Sequence, residues 1–517
     1  MTTPSTLDVR DARAVAFTAA CLAIVADLLL FNDPFGLGFP IWIALIALST
    51  VALMQRCGRH VPHESLAWLT VAVFFACGVA WRASDALRSF DVLVAVVALG
   101  MVAITLSAPR NGLLAARLRD TVFAAAGVLG TIAVGAMPLA FRELLARHER
   151  ASLGGRVARI IRPTALAAIV LIVFGTLLRS ADPIFASLLA LPDINLGTVI
   201  AHTVFIGFVG WIVAGWARAA LRPTDSNPHA AFDFPFALGS ADITAMLGAL
   251  IVLFVAFVAA QLGWFFGGEQ FLRARTGLTA ASYARSGFFQ TVWAVLLVIP
   301  VLVGSRAILA PDRTLARRHT MLSLPIVALL GATIVSAVLR LKLYVHFYGL
   351  TTDRLYPLVF LAWIAIVLAW MCVTVLRNDP RAFAAGAVIS GLAALMALNI
   401  MNPDALVARV DVARTASETP GAAPIDLVHL ASLSGDAAPL AARAVIAAPP
   451  TADGRCAAAR TLVRQWGVGA RMRTRDDRPA SWRWWNAGEQ YAEGSMLAYD
   501  GALRRAMHDA CAPAAQR

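Results

Sequence analysis

Lysine is all but missing from this 517-residue chain, where Lys342 stands alone against 43 arginines. Charge of either sign is scarce too, at 15% of residues, whereas soluble domains carry about 25%. Hydrophobic residues reach 59%, and this imbalance excludes an ordinary water-soluble fold. Six cysteines in such a length exclude a disulfide-dense scaffold. The sequence has no His-Glu-x-x-His pair, no phosphate-binding Gly-rich loop and no Gly-x-Ser-x-Gly elbow. No cofactor is therefore expected, and no catalytic residue is identified. "CGRHVPHE" at 57–64 places Cys57, His60, His63 and Glu64 at spacings a metal can use, but Pro62 and the short basic loop argue against a metal site.

What the chain does have is long apolar runs. Candidate membrane segments lie at 14–31, 36–54, 66–81, 92–108, 121–141, 163–178, 198–216, 243–266, 288–305, 320–339, 355–376 and 382–401. An uncharged run of about 18 residues is long enough to cross a bilayer as a helix. The expected fold class is all-α: a polytopic helical membrane protein with 11 or 12 spanning helices and a small helical C-terminal polar region. The expected division is 1–402, transmembrane, and 403–517, polar and mainly helical. Within the tail, helices are expected near 425–446, 454–466 and 485–510, with Trp485, Ala492, Met496 and Tyr499 along one stripe.

The net charge of +13 does not indicate nucleic-acid binding. The tail holds 14 arginines against 12 acidic residues, and the excess lies in short loops beside the apolar runs, where membrane insertion and anionic lipid select it. Twelve crossings divide the loop arginines evenly between the two sides. Leaving out either 121–141 or 66–81 gathers most of them on one side, and 121–141, rich in Ala and Gly, containing Pro138 and flanked by arginines, is the preferred one. The preferred reading is eleven spans in a bacterial inner membrane, N-terminus cytoplasmic and tail periplasmic; twelve spans with both ends inside is the alternative. Cys456 and Cys511, both in the tail, form a disulfide if that region is exported and are unrelated thiols otherwise.

Under the eleven-span reading the polar groups gather in loops on one face. "LRLKLYVHFYGLTTDRLYP" at 339–357 holds Arg340, Tyr344, Tyr348, Tyr356 and Arg354. Other loops on that face supply Asp27, Asp182, Glu269, Arg273, Tyr283, Arg285 and, in "LNIMNPDALVARV", Asn399, Asn402, Asp404 and Arg409. Single charges at span ends snorkel and tyrosines favour the interface, but snorkelling does not require acids and bases together. Mixed charges beside a low-dielectric medium need partners. A polar cluster of Asp27, Asp182, Glu269, Arg273, Tyr283, Arg285, Arg340, Tyr344, Tyr348, Arg354 and Asn402 is therefore the expected ligand site. Its arginine forks suit a carboxylate or a phosphate headgroup.

The motifs "SADPIF" at 180–185, "GLTAASYARSGFF" at 277–289, "LRLKLYVHFYGLTTDRLY" at 339–356 and "LNIMNPDALVARV" at 398–410 resemble a bacterial integral membrane family catalogued as domain of unknown function 4173. The resemblance implies a polytopic inner-membrane protein and brings no catalytic residue with it. The expected partners are the lipid bilayer and a small anionic or lipid-linked ligand, with no nucleic acid. The functional expectation is transport or binding of a small ligand or lipid headgroup. A membrane enzyme acting on a lipid-linked substrate, or a sensor or assembly factor using its tail, are the alternatives.

Overall fold

The computed structural model describes residues 7–31, 36–107, 127–139, 196–221, 237–276, 288–309, 312–377, 380–416, 424–467 and 482–511. These are helical, without a strand among the described residues. The long helices are α1 (Val9–Leu30), α2 (Gly38–Arg56), α3 (His63–Trp81), α4 (Asp85–Ser107), α5 (Leu196–Leu221), α6 (Ser240–Thr276), α7 (Phe288–Ala307), α8 (Arg313–Tyr348), α9 (Thr352–Val373) and α10 (Pro380–Met401). Among the described residues, nine stretches within them are long and apolar enough to cross a membrane, and part of α7 forms a shorter apolar helix. The chain is a polytopic helical membrane protein. The segments expected at 163–178 and, apart from 127–139, at 121–141 lie outside the described residues, as does the choice between eleven and twelve spans that depends on them.

Small residues let the first helices pack closely. Ala12, Ala19, Ala23 and Ala26 recur on one face of α1 and are buried, and α1 packs along α5. Ala72, Ala76 and Val79 on α3 meet Ala95, Ala98 and Val102 on α4 in one buried cluster. Without a hydrophobic drive between helices in lipid, such close backbone approach supplies the attraction. A second cluster joins α6 to α10 through Ile243, Leu247, Leu302, Ile326, Leu330, Ile364 and Phe383. Phe17, Leu48 and Val252 lie at 67–73% exposure on outward faces, as a hydrocarbon surround favours.

Two sets of helix ends define opposite faces of the bundle. On the first, Cys57 after α2 lies near Asp11 at the start of α1, and Arg59 donates to the Leu221 carbonyl at the end of α5, at 2.6 Å. On the other, a layer of short helices covers the ends of α1, α3, α8 and α10: α11 (Pro403–Ala416), α12 (Leu427–Ser432), α13 (Ala438–Ala447), α14 (Arg455–Trp466), α15 (Ala487–Met496) and α16 (Asp500–Cys511). Asp426 caps α12 by accepting from His429 N at 2.9 Å, and Asn486 caps α15 by accepting from Glu489 N at 3.0 Å. Leu427, Leu430, Leu462, Met496 and Leu503 are each 1% exposed in the core of this layer, which also takes in Leu350 from the α8–α9 turn and Leu355 from the first turn of α9. Full burial of such side chains stabilises by about 1.5–3 kcal/mol each.

The tail differs in detail from expectation, and the stretch 485–510 forms two helices, α15 and α16, in place of one. Three short elements replace one helix over 425–446, because Leu433 and Ser434 are extended and a 3₁₀ turn follows at Gly435–Ala437. Trp485 precedes α15 instead of joining its stripe; it is 44% exposed and its carbonyl accepts from Leu37 N at 3.0 Å. Ala492 and Met496 are buried, and Tyr499 packs against their cluster.

Cys456 on α14 and Cys511 on α16 form a disulfide across a separation of 55 residues. Closing a loop of that length in the unfolded chain is worth about 4 kcal/mol. Replacing Cys456 by Ser is expected to lower the unfolding temperature of this layer and expose it to protease, while Cys57→Ser leaves both unchanged. Thermal melts and limited proteolysis of the two variants check this.

Candidate functional site

The α3–α4 corner is where the bundle meets the C-terminal layer. An α-helix ends with carbonyls lacking intrahelical donors, and here the layer supplies them. Asn486 Nδ2 donates to the Val79 and Arg82 carbonyls at 3.0 and 2.9 Å. Arg88 Nε donates to the same Arg82 carbonyl at 2.7 Å, and its Nη2 reaches Glu489 Oε1 at 2.7 Å. In return, Asp436 Oδ2 accepts from Ala83 N at 2.7 Å. Arg82 points the other way, donating from Nε to the Asn399 carbonyl at 2.6 Å with its guanidinium 4.1 Å from the Trp81 ring centroid. Gly488 sits against this corner, and a Cβ there would lie 2.7 Å from Asp436 Oδ1 and 2.8 Å from Ala83 N.

Above the corner opens a cleft of about 420 Å³, lined by Trp81, Arg82, Asn402, Ala405, Arg409, Asp436, Pro439, Leu440, Arg443, Ala487, Gly488 and Tyr491. Three guanidinium groups thus face one carboxylate. Arg443 donates to Tyr499 Oη at 2.6 Å, whereas Arg409 is exposed and has no hydrogen bond or ion pair among the described residues. Burial pushes the Asp436 carboxyl above the usual range, while the Ala83 N–H, the Arg82 charge and an Asn402 hydrogen bond pull it back. A second groove of about 420 Å³ runs down the bundle along α2 and α3, lined by Leu37, Pro40, Ile41, Ala44, Val73, Cys77, Ala80, Trp81, Trp485 and Ala487. Its wall is apolar throughout, and Trp81 and Ala487 belong to both grooves.

Asn402 reaches the cleft through an unusual backbone. Its φ of 56° makes it the left-handed non-glycine residue among the described residues, a conformation Asn tolerates better than most. Its N–H closes α10 on the Leu398 carbonyl at 3.1 Å, and its Oδ1 accepts from Ala405 N at 3.4 Å in the first turn of α11.

The structure groups the other expected site residues elsewhere. Asp27 pairs with His202 on α5, both carboxylate oxygens lying 2.8 Å from Nδ1, and Phe31 stacks on that imidazole at 3.8 Å. Tyr344, Tyr348 and Arg354 meet at the end of α8: the tyrosine centroids are 4.8 Å apart, and the Arg354 guanidinium lies 4.3 Å from Tyr344. Arg354 also donates to the Tyr348 carbonyl at 3.1 Å and to that of Gly349, satisfying the helix C-terminus as a cation does well. Gly349 turns the chain at φ 81°, and Asp411 of α11 accepts from Leu350 N at 2.7 Å. Burial raises the Asp411 carboxyl, and the Leu350 N–H and nearby arginines oppose it. Arg340 donates to Ser336 Oγ at 3.0 Å. Glu269 and Arg273 are on α6, where the backbone alone is described, while Asp182, Tyr283 and Arg285 lie outside the described residues.

Sequence reasoning overlooked Arg82, Arg443, Tyr491, Asp436 and Asn486, and placed Asp91 just outside an apolar run begun at residue 92. One signal was available: Asn486 and Glu489 form an Asn-x-x-Glu cap immediately after a tryptophan cluster. Asp436 and Arg443 had none, because only folding brings them to the bundle.

Residues 69–444 match the family described as Domain of unknown function (DUF4153), and the chain belongs to that family. This corrects the resemblance to domain 4173, which rested on short loop motifs; the match instead begins inside α3 and takes in the bundle helices. Neither description carries an activity. No curated protein and no solved structure matches the chain.

Gly488→Ala is expected to destabilise the contact between layer and bundle by about 1–3 kcal/mol, as overpacking does, and a thermal melt measures it. The folded chain holds Asp436 above the ordinary carboxylate value of about 4. Its contribution is therefore complete below that value and is lost as pH rises through the folded one. Acidifying from neutral pH toward the ordinary carboxylate value should raise the melting temperature through this group, and Asp436→Asn should flatten that dependence.

Proposed function

We propose that this membrane protein binds an anionic lipid or lipid-linked molecule, with the headgroup among Arg82, Arg409 and Arg443 and the acyl chain along α2 and α3. The observation that carries this reading is the continuity of two unlike surfaces at Trp81 and Ala487: a cationic cleft above and an apolar groove below. A phosphate or carboxylate suits the guanidinium forks, and Trp81, Trp485 and Tyr491 are amphipathic rings of the kind that mark a membrane interface. Movement of such a ligand, or its presentation to another protein, is the activity this site fits.

The Cys456–Cys511 disulfide supports an oxidising compartment for the C-terminal layer. The layer covers the bundle face opposite the start of α1, so the reading extends to a bacterial inner membrane with a cytoplasmic N-terminus and a periplasmic tail.

The test is binding by the purified full chain in nanodiscs. Anionic phospholipid is expected to be retained over a zwitterionic one, and Arg409→Gln or Arg443→Gln to weaken retention about tenfold each, the value of one charge-assisted contact. Arg317→Gln, on the opposite face, should leave it unchanged. Competition by inorganic phosphate at equal strength would point to a free anion as ligand, and equal retention by all variants would end the proposal.

A further inference from the structure

Below the cleft, two buried oxygen atoms face one another's neighbourhood without a donor. Asp91 lies six residues into α4, about 9 Å below its start at 1.5 Å per residue, and is 0% exposed. Asn399, near the end of α10, is 2% exposed. Asn399 Nδ2 donates to Asp91 Oδ1 at 2.8 Å and to the Leu395 carbonyl at 3.2 Å. The other two oxygens, Asp91 Oδ2 and Asn399 Oδ1, have no hydrogen-bond partner among the described residues. Both lie over the same face of Gly78 on α3, where a Cβ would collide with Asp91 Oδ2 and stand 3.1 Å from Asn399 Oδ1.

Turning the amide over does not resolve this, because its oxygen would then oppose Asp91 Oδ1 and the Leu395 carbonyl. A buried acceptor left without a donor costs about 1–3 kcal/mol, more when charged, and a carboxylate inside a membrane span is costlier still without a counter-charge. A single hydrogen atom on Asp91 Oδ2 answers both demands, since the O–H can be donated to Asn399 Oδ1 while the amide N–H continues to Oδ1. A metal cation needs more oxygens than these two, and no group of three metal-ligating His, Cys, Asp or Glu side chains occurs among the described residues.

We propose that Asp91 and Asn399 form an intramembrane proton-binding site, with Asp91 Oδ2 carrying the proton and Asn399 Oδ1 receiving its hydrogen bond. Gly78 provides the space, since any side chain there would occupy the position of the two oxygens. Among the described residues, the titratable group on another helix near enough to interact with the Asp91 charge is Tyr356 of α9. Arg82 is held on the Asn399 carbonyl, and Arg88 of α4 on Glu489 and Asp85. Through Arg82 the site is one hydrogen bond from the cationic cleft, although it stands without any assumption about the ligand there.

Infrared pH-difference spectra of the full chain in proteoliposomes test this. The wild type is expected to show a protonated-carboxyl stretch at neutral pH that is lost in Asp91→Asn and shifted in Asn399→Ala. Asp91→Asn should also fold, with its melting temperature kept at neutral pH, because a second amide reproduces the hydrogen bonds of the neutral acid. A spectrum of Asp91→Asn that loses no protonated-carboxyl intensity relative to the wild type, or a variant that does not fold, overturns the proposal. So does a wild-type band abolished at fixed pH when sodium replaces choline, which would make the site one for a metal cation.

Discussion

The capping of α3 by Asn486 is the contact on which the rest of the site depends. A helix that ends beneath another protein layer must find donors for its last carbonyls, and one amide supplies two of them at the Val79 and Arg82 carbonyls. That fixes the α3–α4 corner, which in turn aims Ala83 N at Asp436 and the Arg82 side chain at Asn399. The cleft exists because these bonds seat α15 and the Gly435–Ala437 turn on the corner. Gly488 is required at the closest approach, with no space for a Cβ.

The same corner separates three kinds of charge. Arg88 is buried and fully engaged, bridging backbone and Glu489. Arg82 is shared between the Asn399 carbonyl and the face of Trp81. Arg409 is left to solvent. Removing a partner from the first would strand a buried cation, an expensive loss, whereas changing the last alters the cleft's field at little cost to the fold. That contrast explains why Arg409 and Arg443 are the informative positions for binding.

Much of the architecture was legible because its signal is local. Apolar runs announced the spanning helices, and the tail was legible as helical, with 454–466 close to α14, although 425–446 and 485–510 each divide into shorter elements. The site was legible only in part. Asn402 was picked out from a polar loop after a span, and it lines the cleft. Asp91 escaped because a lone acid at the edge of an apolar run reads as a boundary, yet α4 extends a further two turns toward the C-terminal layer. Asp436, Arg443 and Tyr491 are surface-like in their own segments and gain meaning only against α3. Tyr344, Tyr348 and Arg354 did assemble, around the last turn of α8, where arginine closes the helix on its carbonyls.

The left-handed joint at Asn402 has a mechanical side. Pro403 follows it directly, so α10 and α11 meet at a joint whose two halves are both restricted, one by a left-handed backbone and one by a ring. Eight residues further along α11, Asp411 grips Leu350 N in the α8–α9 turn. Tilting α10 would therefore drag the neighbouring hairpin with it, and the lid of short helices above would ride on that movement as a single lever.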